Sequence, residues 1–192
     1  MTLLLSEAEQ RTLLSLARQA LEEAVRTHRL SDMEPLSGGL SEPAGAFVTL
    51  LRGGRLRGCI GYIEPIKPLW ITVRECAMAA ALSDPRFDPV EPNELPALHL
   101  EISVLSKLFD IAPEQIEVGL HGLLISRGAQ RGVLLPQVAV EWNWDREQFL
   151  EETCLKAGLP PQAWQYGARI QAFTAQVLQE PPKRASSSSS AA

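Results

Sequence analysis

The sequence predicts an α+β fold, in which antiparallel strands form sheets and helices pack against them. Strand-like segments come in pairs that are joined by short glycine-containing turns, as in β-hairpins. Helical segments separate these pairs and do not alternate one for one with single strands, as they would in a parallel sheet. The chain has 192 residues, of which 45% are hydrophobic, so it has room for one ordinary domain or two small subdomains.

The first predicted element is an amphipathic helix from Ser6 to about His28. Ser6 and Glu9 match a capping box, in which each side chain accepts a hydrogen bond from the other residue's backbone N–H. Apolar residues then recur at helical spacing along one stripe. This stripe predicts that the helix covers one face of a sheet, and the polar residues 31–45 that follow predict a loop.

A first hairpin is predicted over residues 46–62, with Gly53-Gly54 as a two-residue turn. Because side chains alternate along a strand, one set of the second arm faces the core and the other faces away. The core set is Leu56, Gly58, Ile60 and Tyr62, and the opposite set is Arg57, Cys59 and Gly61. An arginine two positions from a thiol favours the thiolate, so Arg57 is expected to lower the pKa of Cys59.

The next predicted element is a helix from Pro68 to about Leu82, which a proline-containing turn over residues 83–87 ends. Asp84 and Arg86 are fixed in this turn. One interpretation is that Asp84 caps the helix and Arg86 pairs with it or with another carboxylate. The other is that Arg86 faces an anionic ligand, because its planar guanidinium binds carboxylate or phosphate at two points.

A cleanly alternating strand is predicted over residues 98–105, with an apolar face and a polar face. If it lies beside the strand of Cys59, then Arg57, Cys59, Glu101 and Ser103 share one surface. The sequence does not fix the strand order, however. Glu101 therefore also has a simpler interpretation, as an exposed strand residue or the ion-pair partner of Arg57.

A second hairpin is predicted from residues 122–127 and 132–135. His121 precedes its first arm and Gln137 follows its second. A histidine beside glycine near a loop can serve as an acid or base near neutral pH, although histidines also fill purely structural hydrogen-bonding roles.

The last predicted elements are a helix that opens with Asp145 and ends at Gly158, and a strand over residues 169–178. Trp142 and Trp144 precede this helix and are expected to fill the core.

Six segments of the chain, in order, resemble one known family. They are LRGCIG, AAALSDPRFDPV, LEISVLS, HGLLI, LLPQVA and CLKAGLP. They resemble the AMMECR-type domain family, named for the Alport syndrome, midface hypoplasia and elliptocytosis chromosomal region, from about Phe47 to Glu180. The resemblance implies two α/β subdomains, interleaved in sequence, with a cleft between them. The domain is then expected over residues 1–182, and the Ser-rich tail 183–192 is expected to be disordered.

The composition narrows the function classes. A formal net charge of −5 argues against general nucleic-acid binding, and the three arginines around the first hairpin are interpreted as a solvated strand end. No apolar run approaches membrane-spanning length and no signal peptide is recognised, so a cytoplasmic location is expected. The three cysteines are widely spaced and no metal-ligand motif occurs, so no cofactor or metal is expected.

One functional hypothesis is a thiol-dependent enzyme that acts on a small molecule. Cys59 would be the nucleophile, with Glu101 and His121 as base and orienting partner. The candidate ligand-binding residues around it are Arg57, Gly58, Gly61, Asp84, Arg86, Ser103 and Gln137. A simpler interpretation is that Gly58 and Gly61 only permit tight packing and that Cys59 is buried.

The second hypothesis is a non-catalytic accessory or substrate-binding component. The resemblance implies association with a radical S-adenosylmethionine enzyme and with a Memo-type protein. The chain carries no CxxxCxxC motif and is therefore not the radical enzyme itself. The oligomeric state is not predicted.

Overall fold

The structure is a computed structural model that describes residues 4–181. Seven strands form one antiparallel sheet with helices packed against it, so the predicted α+β fold is confirmed. The helices are α1 (Glu7–Thr27), α2 (Leu69–Leu82), α3 (Pro136–Glu141) and α4 (Arg146–Lys156). The strands are β1 (Ala46–Arg52), β2 (Arg55–Tyr62), β3 (Leu98–Leu105), β4 (Phe109–Asp110), β5 (His121–Arg127), β6 (Gln130–Leu134) and β7 (Arg169–Gln179). The strand order is β2-β1-β3-β7-β5-β6, and β4 pairs with β7 outside this path.

The long helices α1, α2 and α4 all pack on one face of the sheet, which we call the outer face. Val48, Ile102 and Leu178 lie side by side across β1, β3 and β7 and are buried in one hydrophobic cluster with α1 and α2. Ala172 and Leu123 are paired on β7 and β5 and belong to a second cluster with α4. Because Ala172 and Leu178 are an even number of residues apart on one strand, both clusters occupy the same face.

The opposite face, which we call the inner face, carries several polar residues of β1, β2 and β3. Its members include Phe47, Thr49, Cys59, Gly61, Glu101, Ser103, Leu124, Arg131, Val133, Phe173, Val177 and Gln179. Helix α3 reaches this face through Gln137, whose Nε2 donates to Ser103 Oγ at 3.3 Å. The inner face is partly covered, since Ser103, Leu124 and Phe173 are buried whereas Val177 is 43% exposed.

The sheet is strongly curled, so that its two edge strands approach each other. With strands about 4.8 Å apart, a flat sheet would separate β2 from β6 by about 24 Å. Yet Arg131 Nη2 on β6 donates to Glu64 Oε1, just beyond the end of β2, at 2.9 Å. The inner face is consequently concave.

The first hairpin forms as predicted, with Gly53 and Gly54 at φ values of +56° and +75°. A β-bulge then inserts Arg57, because Leu51 pairs with Leu56 while Leu50 pairs with Gly58. The bulge breaks the simple alternation. The prediction that Leu56 faces the core is therefore wrong, and this side chain is 43% exposed.

Tyr62, which was predicted to face the core, is also exposed at the end of β2. Trp142 is 68% exposed beyond the end of α3, so its predicted core position is wrong, whereas Trp144 is half-buried against the second cluster. The sequence did not predict α3 or the short strand β4.

The predicted capping box of Ser6 with Glu9 is confirmed. The predicted helix start at Asp145 is also confirmed, and there Asp145 and Gln148 form a second capping box. The predicted tail 183–192 lies outside the described residues, and the limits of the domain and its division into two subdomains with a cleft stay predictions. Within residues 4–181, the structure contains no helix with the length and apolar character needed to cross a membrane.

Candidate functional site

Four inner-face side chains form a row across the sheet, in the order Cys59, Thr49, Glu101 and Gln179. Thr49 Oγ1 donates to Cys59 Sγ at 3.2 Å, and Gln179 Nε2 donates to Glu101 Oε2 at 2.7 Å. Strand β1 therefore lies between β2 and β3, the two strands whose relative order the sequence did not fix. It separates Cys59 from Glu101 by two strand spacings, about 10 Å, so Glu101 does not contact the thiol directly.

The neighbouring row contains Gly61, Phe47, Ser103 and Val177. Gln137 enters from α3 and donates from Nε2 to Ser103 Oγ. Its other amide atom, Oε1, is buried and has no hydrogen-bond partner among the described residues. Such an acceptor is costly to leave unpaired, so it marks a place where a donor from outside these residues would be stabilised.

Asp84 and Arg86 hold the backbone of Cys59 at the free edge of β2. The register makes Thr49 and Cys59 a non-hydrogen-bonded pair. The N–H and C=O of Cys59 therefore point away from β1, beyond the free edge of the sheet. Asp84 Oδ2 accepts from Cys59 N at 2.8 Å, and Arg86 Nη2 donates to Cys59 O at 3.1 Å.

The two side chains of this turn also pair with each other. Arg86 donates from Nε to Asp84 Oδ1 at 2.9 Å and from Nη2 to Asp84 Oδ2 at 2.7 Å. These hydrogen bonds lower the pKa of the buried Asp84 carboxyl to about 2, against the opposing effect of burial. Of the two interpretations drawn from the sequence, the geometry matches the pairing one, in which Arg86 binds a carboxylate of its own chain.

The Cys59 thiol is not activated by its surroundings. Burial raises its pKa, while the hydrogen bond from Thr49 and the charge of Arg86 lower it by less. The expected effect of Arg57 is absent because Arg57 is turned to Glu94, with Nη2 donating to Oε2 at 2.8 Å. The prediction of a lowered thiol pKa is therefore wrong.

His121 lies away from the thiol, on the outer face of β5. Its Nδ1 accepts from the backbone N–H of Glu117 at 3.0 Å, and its ring contacts Phe109 edge-on with centroids 5.8 Å apart. Gly58 also lies on the outer face, where it packs closely against α2. A Cβ at this position would lie 2.2 Å from the carbonyl oxygen of Ala80.

The predicted site residues thus fall into three groups. Cys59, Gly61, Glu101, Ser103 and Gln137 share the inner face, Asp84 and Arg86 line the adjoining edge of β2, and Arg57, Gly58 and His121 lie elsewhere.

A cavity of about 310 Å³ opens where the two edge strands approach each other. One side is formed by Gly61, Tyr62, Ile63, Glu64 and Ile66, and the other by Leu124, Arg131 and Val133. The ion pair between Glu64 and Arg131 spans this space, and both side chains are about half exposed. An ion pair exposed to this degree contributes only about 0–1 kcal/mol, so it can separate easily.

The comparisons with known proteins agree with the fold and place the chain in a family. The sequence matches the AMMECR1 family over residues 14–178. The chain belongs to the AMMECR1 family. A protein of Methanothermobacter thermautotrophicus is 46% identical over 185 residues, which cover 92% of this chain and 96% of that protein. One from Thermococcus kodakarensis is 46% identical over 181 residues, which cover 88% of each.

A solved structure shows the same AMMECR1 fold. The crystal structure of an uncharacterized protein from Pyrococcus horikoshii matches this chain with a TM-score of 0.82 and 42% sequence identity. The match covers 88% of this chain and 90% of that one. The family resemblance seen in the sequence is thereby confirmed.

Sequence reasoning missed several residues of this AMMECR1 site, namely Thr49, Gln179, Glu64, Leu124, Arg131 and Val133. Alternation within the second hairpin places Leu124 and Val133 on one face, and that signal was available. No such signal in the sequence shows that the two sheet edges meet, since their meeting depends on the curl of the whole sheet.

Proposed function

We propose that this protein is a non-catalytic substrate-binding component, which holds an organic ligand in the inner-face cavity and acts with a radical S-adenosylmethionine enzyme and a Memo-type protein. The observation that carries the proposal is the cavity itself. Its volume of about 310 Å³ lies at the lower end of the range of ligand sites, about 300–1,000 Å³. Its walls combine apolar side chains with few polar groups, as ligand sites do.

The polar groups near this cavity are suited to orienting a ligand. Arg131 and Glu64 offer one cation and one carboxylate, held only by their weak mutual pair. Gln137 Oε1 lies on the same inner face, outside the residues that line the cavity, and is a buried acceptor without a donor among the described residues. A ligand that donates a hydrogen bond to it would remove the penalty of leaving this oxygen unpaired.

The alternative is a thiol-dependent enzyme with Cys59 as the nucleophile. The hydrogen bond from Thr49 and the partial exposure of Cys59 favour it. Three observations weigh against it. Burial raises the pKa of the thiol, Glu101 is bonded to Gln179, and His121 lies on the other face of the sheet. A nucleophilic thiol normally has a nearby base or a lowered pKa.

The association with the two partner proteins rests on the family resemblance. A component that binds a substrate without transforming it needs an enzyme to receive that substrate, which fits this association. Purification of the native protein from its own cells tests it. We expect either partner to be recovered with the wild-type chain, and repeated recovery of neither would contradict the accessory role.

Ligand binding is tested with a fragment library of small amides and carboxylic acids, followed by ligand-observed NMR. Val133→Trp fills the cavity, whereas Val177→Trp adds the same bulk to an exposed inner-face position that does not line it. We expect fragments that bind the wild type and Val177→Trp but not Val133→Trp. The proposal fails if neither a fragment nor any larger organic ligand distinguishes these two folded variants.

A further inference from the structure

The cavity lies between the two edge strands of the sheet, and these strands run in opposite directions. Five successive antiparallel pairings separate β2 from β6, so the end of β2 approaches the start of β6. The ion pair between Glu64 and Arg131 marks this approach. The two edges therefore face each other as neighbouring antiparallel strands would, but without pairing along the cavity.

The edge of β2 carries backbone groups that point into the space beside it. Alternation along an antiparallel pair means that Gly61, two residues beyond Cys59, also directs its N–H and C=O away from β1. The outward groups of Cys59 are bonded to Asp84 and Arg86. Those of Gly61 have no hydrogen-bond partner within residues 4–181.

The edge of β6 is arranged in the same way. Arg127 and Gln130 flank the two-residue turn and form a hydrogen-bonded pair. By alternation, Arg131 and Val133 direct their N–H and C=O groups away from β5. In the part of the chain that the structure describes, these outward groups are also unpaired. Two rows of backbone donors and acceptors thus border one cavity.

We propose that the ligand of this cavity is an extended polypeptide segment of a partner protein, which adds as a strand at the edges of β2 and β6. The inference rests on the proposed binding function and names its ligand class. An extended peptide presents alternating N–H and C=O groups on both sides, which is the pattern that two facing edges require.

The walls of the cavity define the side chains that the segment carries there. Ile63, Ile66, Leu124 and Val133 supply apolar surface. The two charges on the lining, Glu64 and Arg131, neutralise each other. The segment is therefore uncharged and apolar where it enters the cavity. Gly61 contributes only its backbone to this edge, because the ring of Phe47 fills the place that a side chain at Gly61 would take.

The probe that tests this inference is a phage-displayed library of random heptapeptides, selected on the full-length wild-type chain. Selected peptides are then synthesised and their affinities measured for the wild type, Val133→Trp and Val177→Trp. We expect Val133→Trp to bind at least tenfold more weakly and Val177→Trp to bind as the wild type does. Methylation of the backbone nitrogens of a selected peptide leaves its side chains unchanged, and we expect it to weaken binding at least tenfold.

Amide hydrogen exchange reports the strand pairing directly. A bound peptide is expected to slow exchange at least tenfold at the N–H groups of both Gly61 and Val133. The inference is overturned if no peptide is selected, if Val133→Trp binds the selected peptides as well as the wild type, or if backbone methylation has no effect.

The fragment experiment separates this failure from that of the proposed function. If fragments bind the wild type but not Val133→Trp while no peptide binds, the cavity is a small-molecule site and only the peptide inference is wrong. If no fragment and no peptide loses its binding in Val133→Trp, both proposals are wrong.

Discussion

The carboxylate of Asp84 accepts a hydrogen bond from the backbone N–H of Cys59 at 2.8 Å and so covers the free edge of β2. An uncovered edge strand is a template for unwanted pairing with other chains. Asp84 also accepts hydrogen bonds from the backbone and the guanidinium of Arg86, which in turn donates to the carbonyl of Cys59. Two residues of one turn therefore satisfy both outward backbone groups of Cys59.

We expect Asp84→Ala to lower the free energy of unfolding by about 2–4 kcal/mol. The substitution removes a buried carboxylate and leaves the N–H of Cys59 and the guanidinium of Arg86 without their partner. The Asp84 carboxylate is buried whereas the Arg86 side chain is about half exposed, so the cost comes from the lost charge-assisted hydrogen bonds and from the unpaired N–H of Cys59. Urea denaturation followed by circular dichroism measures this change.

The exposed pair of Asp110 and Arg169 provides the matched control. It has the same two-point geometry, with distances of 2.7 Å and 3.0 Å, but both side chains are more than half exposed. Asp110→Ala is expected to cost much less than Asp84→Ala, because solvent weakens an exposed ion pair. Equal losses for Asp84→Ala and Asp110→Ala would show that burial of the Asp84 carboxylate has no energetic consequence.

The lowered pKa of Asp84 predicts a specific loss of stability in acid. Hydrogen bonds from Arg86 lower this pKa from an ordinary value of 3.8 to about 2 in the folded chain. Since the folded pKa lies below the unfolded one, the stabilisation is fully present above about pH 5 and is lost as the pH falls toward 2. Between pH 5 and pH 2, we expect the wild type to lose about 2 kcal/mol more than Asp84→Asn. Parallel stability curves for the two proteins in urea titrations would contradict the assignment.

The structure shows which parts of the fold have local signals in the sequence. The capping box at Ser6, the helix start at Asp145 and the turn at Gly53-Gly54 depend on neighbouring residues, and all three were predicted correctly. The side of the sheet on which Leu56 lies was predicted wrongly, because the prediction assumed regular alternation along β2. Regular pairing from the two-residue turn would put Thr49 opposite Gly58. The bulge at Arg57, which is held by Glu94 from a distant loop, moves Thr49 opposite Cys59 instead.

The site is less predictable than the fold for the same physical reason. Cys59 and Glu101 were placed on one surface, yet only the strand order reveals that Thr49 lies between them and contacts the thiol. The residues that span the cavity, Glu64 and Arg131, are 67 positions apart in the chain. Their meeting depends on the curl of the sheet, which no local pattern encodes.

Cys59 is expected to react slowly with iodoacetamide in the folded protein at pH 7.5, more slowly than a free cysteine peptide. Burial raises the pKa of its thiol, and only the thiolate reacts. Mass spectrometry distinguishes it from Cys76 and Cys154, which are fully buried and should be labelled only on unfolding. Thr49→Val removes the hydrogen bond that lowers the pKa of Cys59, so the pH midpoint of labelling should rise further. A wild-type midpoint below the free-thiol value of about 8.5 would revive the enzyme hypothesis.

Two glycines of the second hairpin are expected to respond differently to alanine, because different atoms oppose the added methyl group. A Cβ at Gly132 would lie 2.3 Å from Ala157 N and 2.6 Å from Thr153 O, both in the backbone at the end of α4. A Cβ at Gly122 would lie 2.3 Å from the ring of Phe173. Overpacking of this kind typically costs about 1–3 kcal/mol, and we expect both single substitutions to reach at least about 2 kcal/mol in urea denaturation.

Phe173→Leu removes the obstructing ring, so the double variant with Gly122→Ala should be more stable than the two single losses predict by about 1 kcal/mol or more. The stability losses of Phe173→Leu and Gly132→Ala should add independently. The atoms that oppose a methyl group at Gly132 belong to the backbone of α4, which Phe173→Leu does not change. Additive losses in both pairs would mean that the sheet shifts as a whole, and that the ring of Phe173 is not the reason for glycine at position 122.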